Sequence, residues 1–134
     1  MDASGPRGLR AAGPARTAEL DRDISVSAEP PTRPPVFEAI VTGETVTAVL
    51  RGDFDATSAG LLHGYLLRIR EQQPVRLVFE MAQVSYLDCA TARLIASTGD
   101  WLPAGVKPVV SSPSPVVRRV LQASGIIAYC ELAP

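Results

Sequence analysis

The sequence has few of the residues that build covalent or metal-held scaffolds. It has two cysteines, Cys89 and Cys130, and one histidine, His63, in 134 residues. Two thiols are too few for a disulfide framework, and a lone histidine without paired cysteines supports no metal site. Charge of one sign is not in excess either: 13 basic and 14 acidic side chains leave a net charge of -1. No basic face is implied, which argues against nucleic acid as a partner. The apolar runs fall far short of the ~20 residues that a membrane span needs. The N-terminus lacks the apolar core of a signal peptide. The expectation is a cytoplasmic protein with reduced thiols, no membrane association, no metal and no cofactor. Internal repeats are absent, and "GVKPVVSS" lacks the Gly-x4-Gly-Lys order of a phosphate loop.

What is present divides unevenly. The first 35 residues hold six of the 12 prolines (Pro6, Pro14, Pro30, Pro31, Pro34 and Pro35) with much Ala, Gly and Arg. Such a stretch buries too little apolar surface to offset its ordering entropy, so residues 1–35 read as a disordered tail. From residue 36 apolar residues become dense and patterned, and residues 36–134 are long enough for one core without staples.

Along that domain, "VFEAIVT" and "TVTAVLRG" are rich in β-formers and separated by "GE", the signature of a hairpin turning near Gly43 and Glu44. A helix follows, with Leu61, Leu62, Tyr65, Leu66 and Ile69 at helical spacing and Asp55 or Thr57 available as its cap. "VRLVFEM" is a third strand. After Asp88, the residues Ala90, Leu94, Ile95, Thr98, Trp101 and Leu102 form a second amphipathic stripe. "KPVVSS" reads as a fourth strand. "SPSPVVRRVLQASG" is a helix with Ser114 as cap, Pro115 at its first position and Gly125 at its close. "IIAYCEL" reads as a last strand. Strands alternating with helices predict an α/β sandwich: a mixed, mostly parallel sheet opened by a hairpin, with about three helices on one face.

Three stretches in that order resemble the STAS domain, specifically bacterial anti-sigma-factor antagonists. "LRGDFDATSAGLL" is similar to the family's Gly-Glu-Leu-Asp-plus-Thr segment. "LVFEMAQVSYLDCATARLI" is similar to its strand, hydrophobic-Asp-Ser-Ser-Gly junction and helix. "VVSSPSPVVRRVLQASGI" is similar to a strand followed by "SPAVRRVLELTGL". The resemblance implies a non-catalytic protein that binds an anti-sigma factor and so frees a sigma factor for transcription. It further implies that the partner is a serine-kinase-type regulator, which ends the binding by phosphorylating the first Ser after the junction Asp. A phosphate there adds nearly two negative charges beside a carboxylate and breaks the fit.

Carried over position by position, the acid is Asp88 and the phosphoacceptor position holds Cys89, with Ala90 and Thr91 after it. "DSSG" has become "DCAT". Three readings of Cys89 stand side by side. It is a Ser-sized residue kept for shape, a thiol sensor activated by the helix N-terminus, or the mark of an acceptor moved to Thr91. The resemblance places partner contacts on Asp53, Asp55, Thr57, Ser58, Asp88, Cys89, Ala90 and Thr91. A Cys89–Cys130 disulfide requires the last strand to end near this junction. His63 lies off its helix's apolar stripe, and a nucleophile pair with Cys89 would need an orienting third group. The alternatives to a switched antagonist are a non-phosphorylatable STAS scaffold subunit and a thiol redox sensor. Many relatives continue into a further helix after the last strand, so self-association or association with other STAS proteins is a further expectation.

Overall fold

The structure, a computed structural model, describes residues 33–134. The tail expected at 1–35 therefore lies outside the described residues as far as residue 32. Strand β1 (Val36–Thr42) turns back through Gly43 and Glu44 into β2 (Thr45–Phe54), and the two pair antiparallel in an unbroken register from Val36↔Arg51 to Thr42↔Thr45. A single 3-10 turn (Ala56–Ser58) leads into helix α1 (Ala59–Glu71), which carries the chain back to β3 (Arg76–Leu87). Helix α2 (Cys89–Ser97) joins β3 to β4 (Val109–Ser111), and helix α3 (Pro115–Ala123) joins β4 to β5 (Glu131–Ala133). The sheet order is β1-β2-β3-β4-β5, with every pair after the hairpin parallel. The α/β fold class read from the sequence is thus the observed one. Among the described residues no helix is long and apolar enough to cross a membrane.

The core follows from the pleat. Alternate residues of β2 (Val46, Ala48, Leu50, Phe54) and of β3 (Leu77, Phe79, Met81) are buried, because period-two alternation sends them to the same sheet face. The helices lay Leu62, Leu66 and Ile69 of α1, Ala92 and Ile95 of α2, and Val117 and Leu121 of α3 into the same cluster. Ser114 caps α3 as expected, its hydroxyl accepting from Val117 N–H at 3.2 Å, with Pro115 at the first helical position.

Two elements differ from the sequence reading. Leu61, expected on the apolar stripe of α1, is 64% exposed, because the buried stripe runs Leu62–Leu66–Ile69 and leaves Leu61 a full 100° round the helix. The stretch "IIAYCEL" is not all strand. Gly125, at φ 77°, turns the chain out of α3, and Ile126–Tyr129 then form a 3-10 turn that drives Ile126 into the core. Only Glu131–Ala133 pair, since β4 offers three residues to pair with.

Residues Arg33–Pro35 cross the ends of β2 and β3. Asp53 N–H donates to the Arg33 carbonyl at 3.0 Å, and Arg33 N–H donates to Asp53 Oδ2 at 3.0 Å. Arg33 Nη1 donates to Ser85 Oγ at 2.8 Å. Gly52 permits this approach: its φ is +96°, and a Cβ on it would collide with the Pro34 carbonyl.

Replacing the fully buried Phe79 by Ala should cost about 3–5 kcal/mol of unfolding free energy in urea titrations, whereas Leu61→Ala should stay within about 0.5 kcal/mol. Gly52→Ala should cost about 1–3 kcal/mol and speed amide exchange at Asp53, the donor to Arg33. Unchanged exchange there would show that the strap does not depend on the missing side chain.

Candidate functional site

The parallel pair β2 and β3 ends in two adjacent junctions, with Asp53 opposite Tyr86 and Phe54 opposite Leu87. Each strand is followed at once by an acid that caps the next helical turn. After β2, Asp55 Oδ1 accepts Thr57 N–H at 2.9 Å and the Thr57 hydroxyl at 2.6 Å. Ser58 completes a capping box, its Oγ accepting Asp55 N–H at 3.0 Å. The hydrogen bond from the Thr57 hydroxyl, with backbone N–H groups in support, holds the Asp55 carboxyl below its usual value and outweighs the opposing effect of partial burial. After β3, Asp88 Oδ1 accepts Thr91 N–H at 2.8 Å and starts α2, a cap worth about 1 kcal/mol. The junctions are joined directly: Asp88 N–H donates to the Phe54 carbonyl at 3.0 Å.

The structure brings most of the expected site residues to one edge. Cys89, Ala90 and Thr57 are exposed there, and Asp53, Asp55 and Asp88 are half-buried. Two expected members are not on that surface. Ser58 is 3% exposed, and its hydroxyl both accepts from Asp55 N–H and donates to the Asp55 carbonyl at 2.9 Å, so it serves the cap. Thr91 is 0% exposed and its Oγ1 is buried without a hydrogen-bond partner among the described residues. The first turn of α2 points it inward, with Ala92 and Ile95, while Cys89 and Ala90 point out. Thr91, read from the sequence as a possible substitute phosphoacceptor, is therefore not presented at this surface.

The sequence reading missed three neighbours of this edge: Arg33, Ser85 and Tyr86. The register passes from Gly52↔Val84 to Asp53↔Tyr86, leaving Ser85 as a bulged extra residue under the Arg33 guanidinium. Bulges re-aim side chains beside functional sites, and here Tyr86 stands 47% exposed. One signal in the sequence pointed to this arrangement: a glycine inside a strand, Gly52, which marks close backbone approach.

The thiols do not meet. Glu131 pairs with Val109 and Val109 with Val78, so Cys130 lies level with Leu77, ten residues before Leu87. At ~3.3 Å per residue that is roughly 30 Å along the strands, far beyond disulfide reach. Both cysteines are free, Cys89 exposed and Cys130 buried, and burial pushes the Cys130 thiol up to about 11. His63 lines a shallow groove with Ser97, Asp100 and Trp101, at the far end of α2 from Cys89. Among the described residues no cluster of three or more His, Cys, Asp or Glu is placed to hold a metal ion. The edge presents two capped acids, an exposed thiol and small neighbours.

Comparison with known proteins agrees with this architecture. The STAS domain family model matches residues 37–134. The anti-sigma factor antagonist SpoIIAA in its unphosphorylated form is 25% identical, with 74% of this chain and 89% of that chain covered and a TM-score of 0.62. The phosphorylated form of the Bacillus cell fate determinant SpoIIAA is 24% identical, covering 74% and 92%, with a TM-score of 0.56. An anti-sigma factor antagonist from Mycobacterium paratuberculosis is 19% identical, covering 75% and 86%, with a TM-score of 0.66. No curated protein gives a significant sequence match. With the family's sequence pattern matched over the described domain and its sheet order and junctions in place, the chain belongs to the STAS domain family.

Proposed function

We propose that this protein is a non-catalytic, cytoplasmic regulator that binds an anti-sigma factor of the serine-kinase type and relieves inhibition of a sigma factor by partner switching. The docking edge is formed by Asp53, Asp55, Thr57, Asp88, Cys89 and Ala90. The observation that carries the reading is the exposure of Cys89 and Ala90 beside the capped Asp88, at the position where the resemblance places the phosphoacceptor. A relative with this fold, SpoIIAA, has been solved in both unphosphorylated and phosphorylated forms, which supports a phosphate-governed contact in the family.

In this chain the acceptor hydroxyl is replaced by sulfur, and the nearest substitute, Thr91, is buried. A serine kinase transfers phosphoryl groups to hydroxyls, so binding through this edge persists where a relative's would be ended. Such a protein acts as an antagonist without that off-switch, or as a fixed scaffold subunit among switchable ones. The burial of Thr91 favours both over a relocated phosphoacceptor. A thiol sensor is less well supported, because Cys89 has no resolving partner: Cys130 is buried at the opposite strand end.

Two outcomes test this. Incubated with its kinase-type partner and ATP, the native chain should bind without gaining phosphate at the α2 mouth, and Cys89→Ser should take up one phosphoryl group, read by intact mass, and then release the partner. Failure of every candidate anti-sigma factor to bind either chain would overturn the reading. Separately, iodoacetamide at neutral pH should add one carbamidomethyl group to the native protein, at Cys89, with Cys130 reacting only after denaturation. That adduct, lying on the docking edge, should weaken partner binding at least tenfold, since interface centres are close-packed and a misfit there costs more than about 1.4 kcal/mol.

A further inference from the structure

Strand β1 is an edge of the sheet among the described residues, and it carries none of the devices that keep edges apart. It contains no lysine and no proline, and its register with β2 has no bulge over seven consecutive pairs. Its single charge, Glu38, is engaged by Arg51 at 3.3 Å. Val36, Ile40 and Val41 are 42%, 47% and 58% exposed. On the helix side of the strand, Phe37 packs on Tyr65 and Phe54 with ring centroids 5.0 and 5.5 Å apart. Beyond it the helical layer ends, so Ala39 and Val41 stand with Tyr65 and Ile69 along an open, mainly apolar groove of about 340 Å³. The Tyr65 hydroxyl is buried there without a partner.

We propose that β1 is a self-association edge: two copies of the chain pair β1 to β1, antiparallel, about a two-fold axis at Ala39. The occupant follows from the strand's own sequence. Centred on Ala39, Phe37 faces Val41 of the second copy, Glu38 faces Ile40, and Val36 faces Thr42. The helix-side positions are then all apolar and no like charges oppose each other. Other registers are worse. A slip of one residue puts the two helical layers on opposite faces of the sheet. Recentring on Glu38 sets carboxylate against carboxylate and draws Pro35 into the ladder, where it has no N–H to give. Recentring on Ile40 sets Phe37 against Gly43 and shortens the pairing. The favoured register uses the whole strand from Val36 to Thr42 and neither flanking proline.

The geometry also leaves the docking edges free. Val36 of β1 lies beside Arg51, near the end of β2 that carries Asp53 and Asp55. An antiparallel two-fold pairing therefore sends the two docking edges to opposite ends of a continuous sheet. The dimer would be bivalent, which suits a scaffold subunit.

The test uses the full chain in size-exclusion chromatography with light scattering across a concentration series. A dimer that dissociates on dilution is expected. Ile40→Glu places carboxylates opposite Glu38 twice per dimer and should weaken it roughly tenfold; Ile40→Lys places ammonium groups there and should leave it intact or tighter. At concentrations where the chain is monomeric and Ile40 is exposed, both variants should keep the native urea midpoint. As an independent readout, Ala39→Cys in a Cys89→Ser background should cross-link two copies on mild oxidation, since only a residue on the two-fold axis meets its own counterpart. A monomer at every concentration overturns the proposal, including one whose β1 amides are protected from exchange by the chain's own first residues. So does a dimer indifferent to Ile40→Glu that gives no Ala39→Cys cross-link. These readouts need no anti-sigma factor, so their failure is separable from failure of the functional reading.

Discussion

A single backbone hydrogen bond, from Asp88 N–H to the Phe54 carbonyl, fastens together the two strand-to-helix junctions of the candidate site. On one side of it β2 runs out into the capped turn at Asp55, and on the other β3 runs out into α2 at Asp88. Both turns follow the same rule: an acid accepts the N–H groups that a helical start leaves unpaired. Because β2 and β3 are parallel neighbours with buried residues on alternating positions, neither junction can shift without disturbing Leu50, Phe54, Leu77 or Leu87. The edge is thus stiff for reasons that lie in the core. Under the proposed function, a partner would meet a preset surface and pay little ordering entropy on contact.

That rigidity does not draw on the side chain at position 89. Cys89 is the first residue of α2, its side chain lies outside the core, and the cap depends on the Asp88 carboxylate and Thr91 N–H alone. Burial of Thr91 follows from the same helix start: with Asp88 as cap, a period of 3.6 residues turns residue 91 toward the sheet once 89 and 90 face out.

Most of the fold was legible because local signals and the global pattern agree. Ser114 and Pro115 announce α3, alternation announces β2, and the Gly43–Glu44 turn announces the hairpin. The failures have physical causes. Ile126–Tyr129 is apolar and β-prone, yet β4 presents only three residues for pairing, so tertiary supply overrode propensity. At the candidate site, the motif brought the acids and Cys89 to one edge as expected, whereas Ser58 and Thr91 are buried, because a motif records identity without orientation. Arg33 was missed for the opposite reason. It sits among prolines with no periodicity, and what recruits it is the absence of a side chain at Gly52, nineteen positions later in the chain.

The two ends of the first hairpin strand impose different demands, and this ties the edge strand to the site. At its start, Arg33–Pro35 is held across β2 and β3, and the prolines there give the ladder no donors. From Val36 on, the same chain is regular, apolar and open on one side. In the proposed pairing a strand added to β1 stops at Pro35, which has no N–H with which to continue the ladder. The proposed self-association along β1 and the proposed docking at the strand ends are therefore compatible, with Pro34 and Pro35 between them.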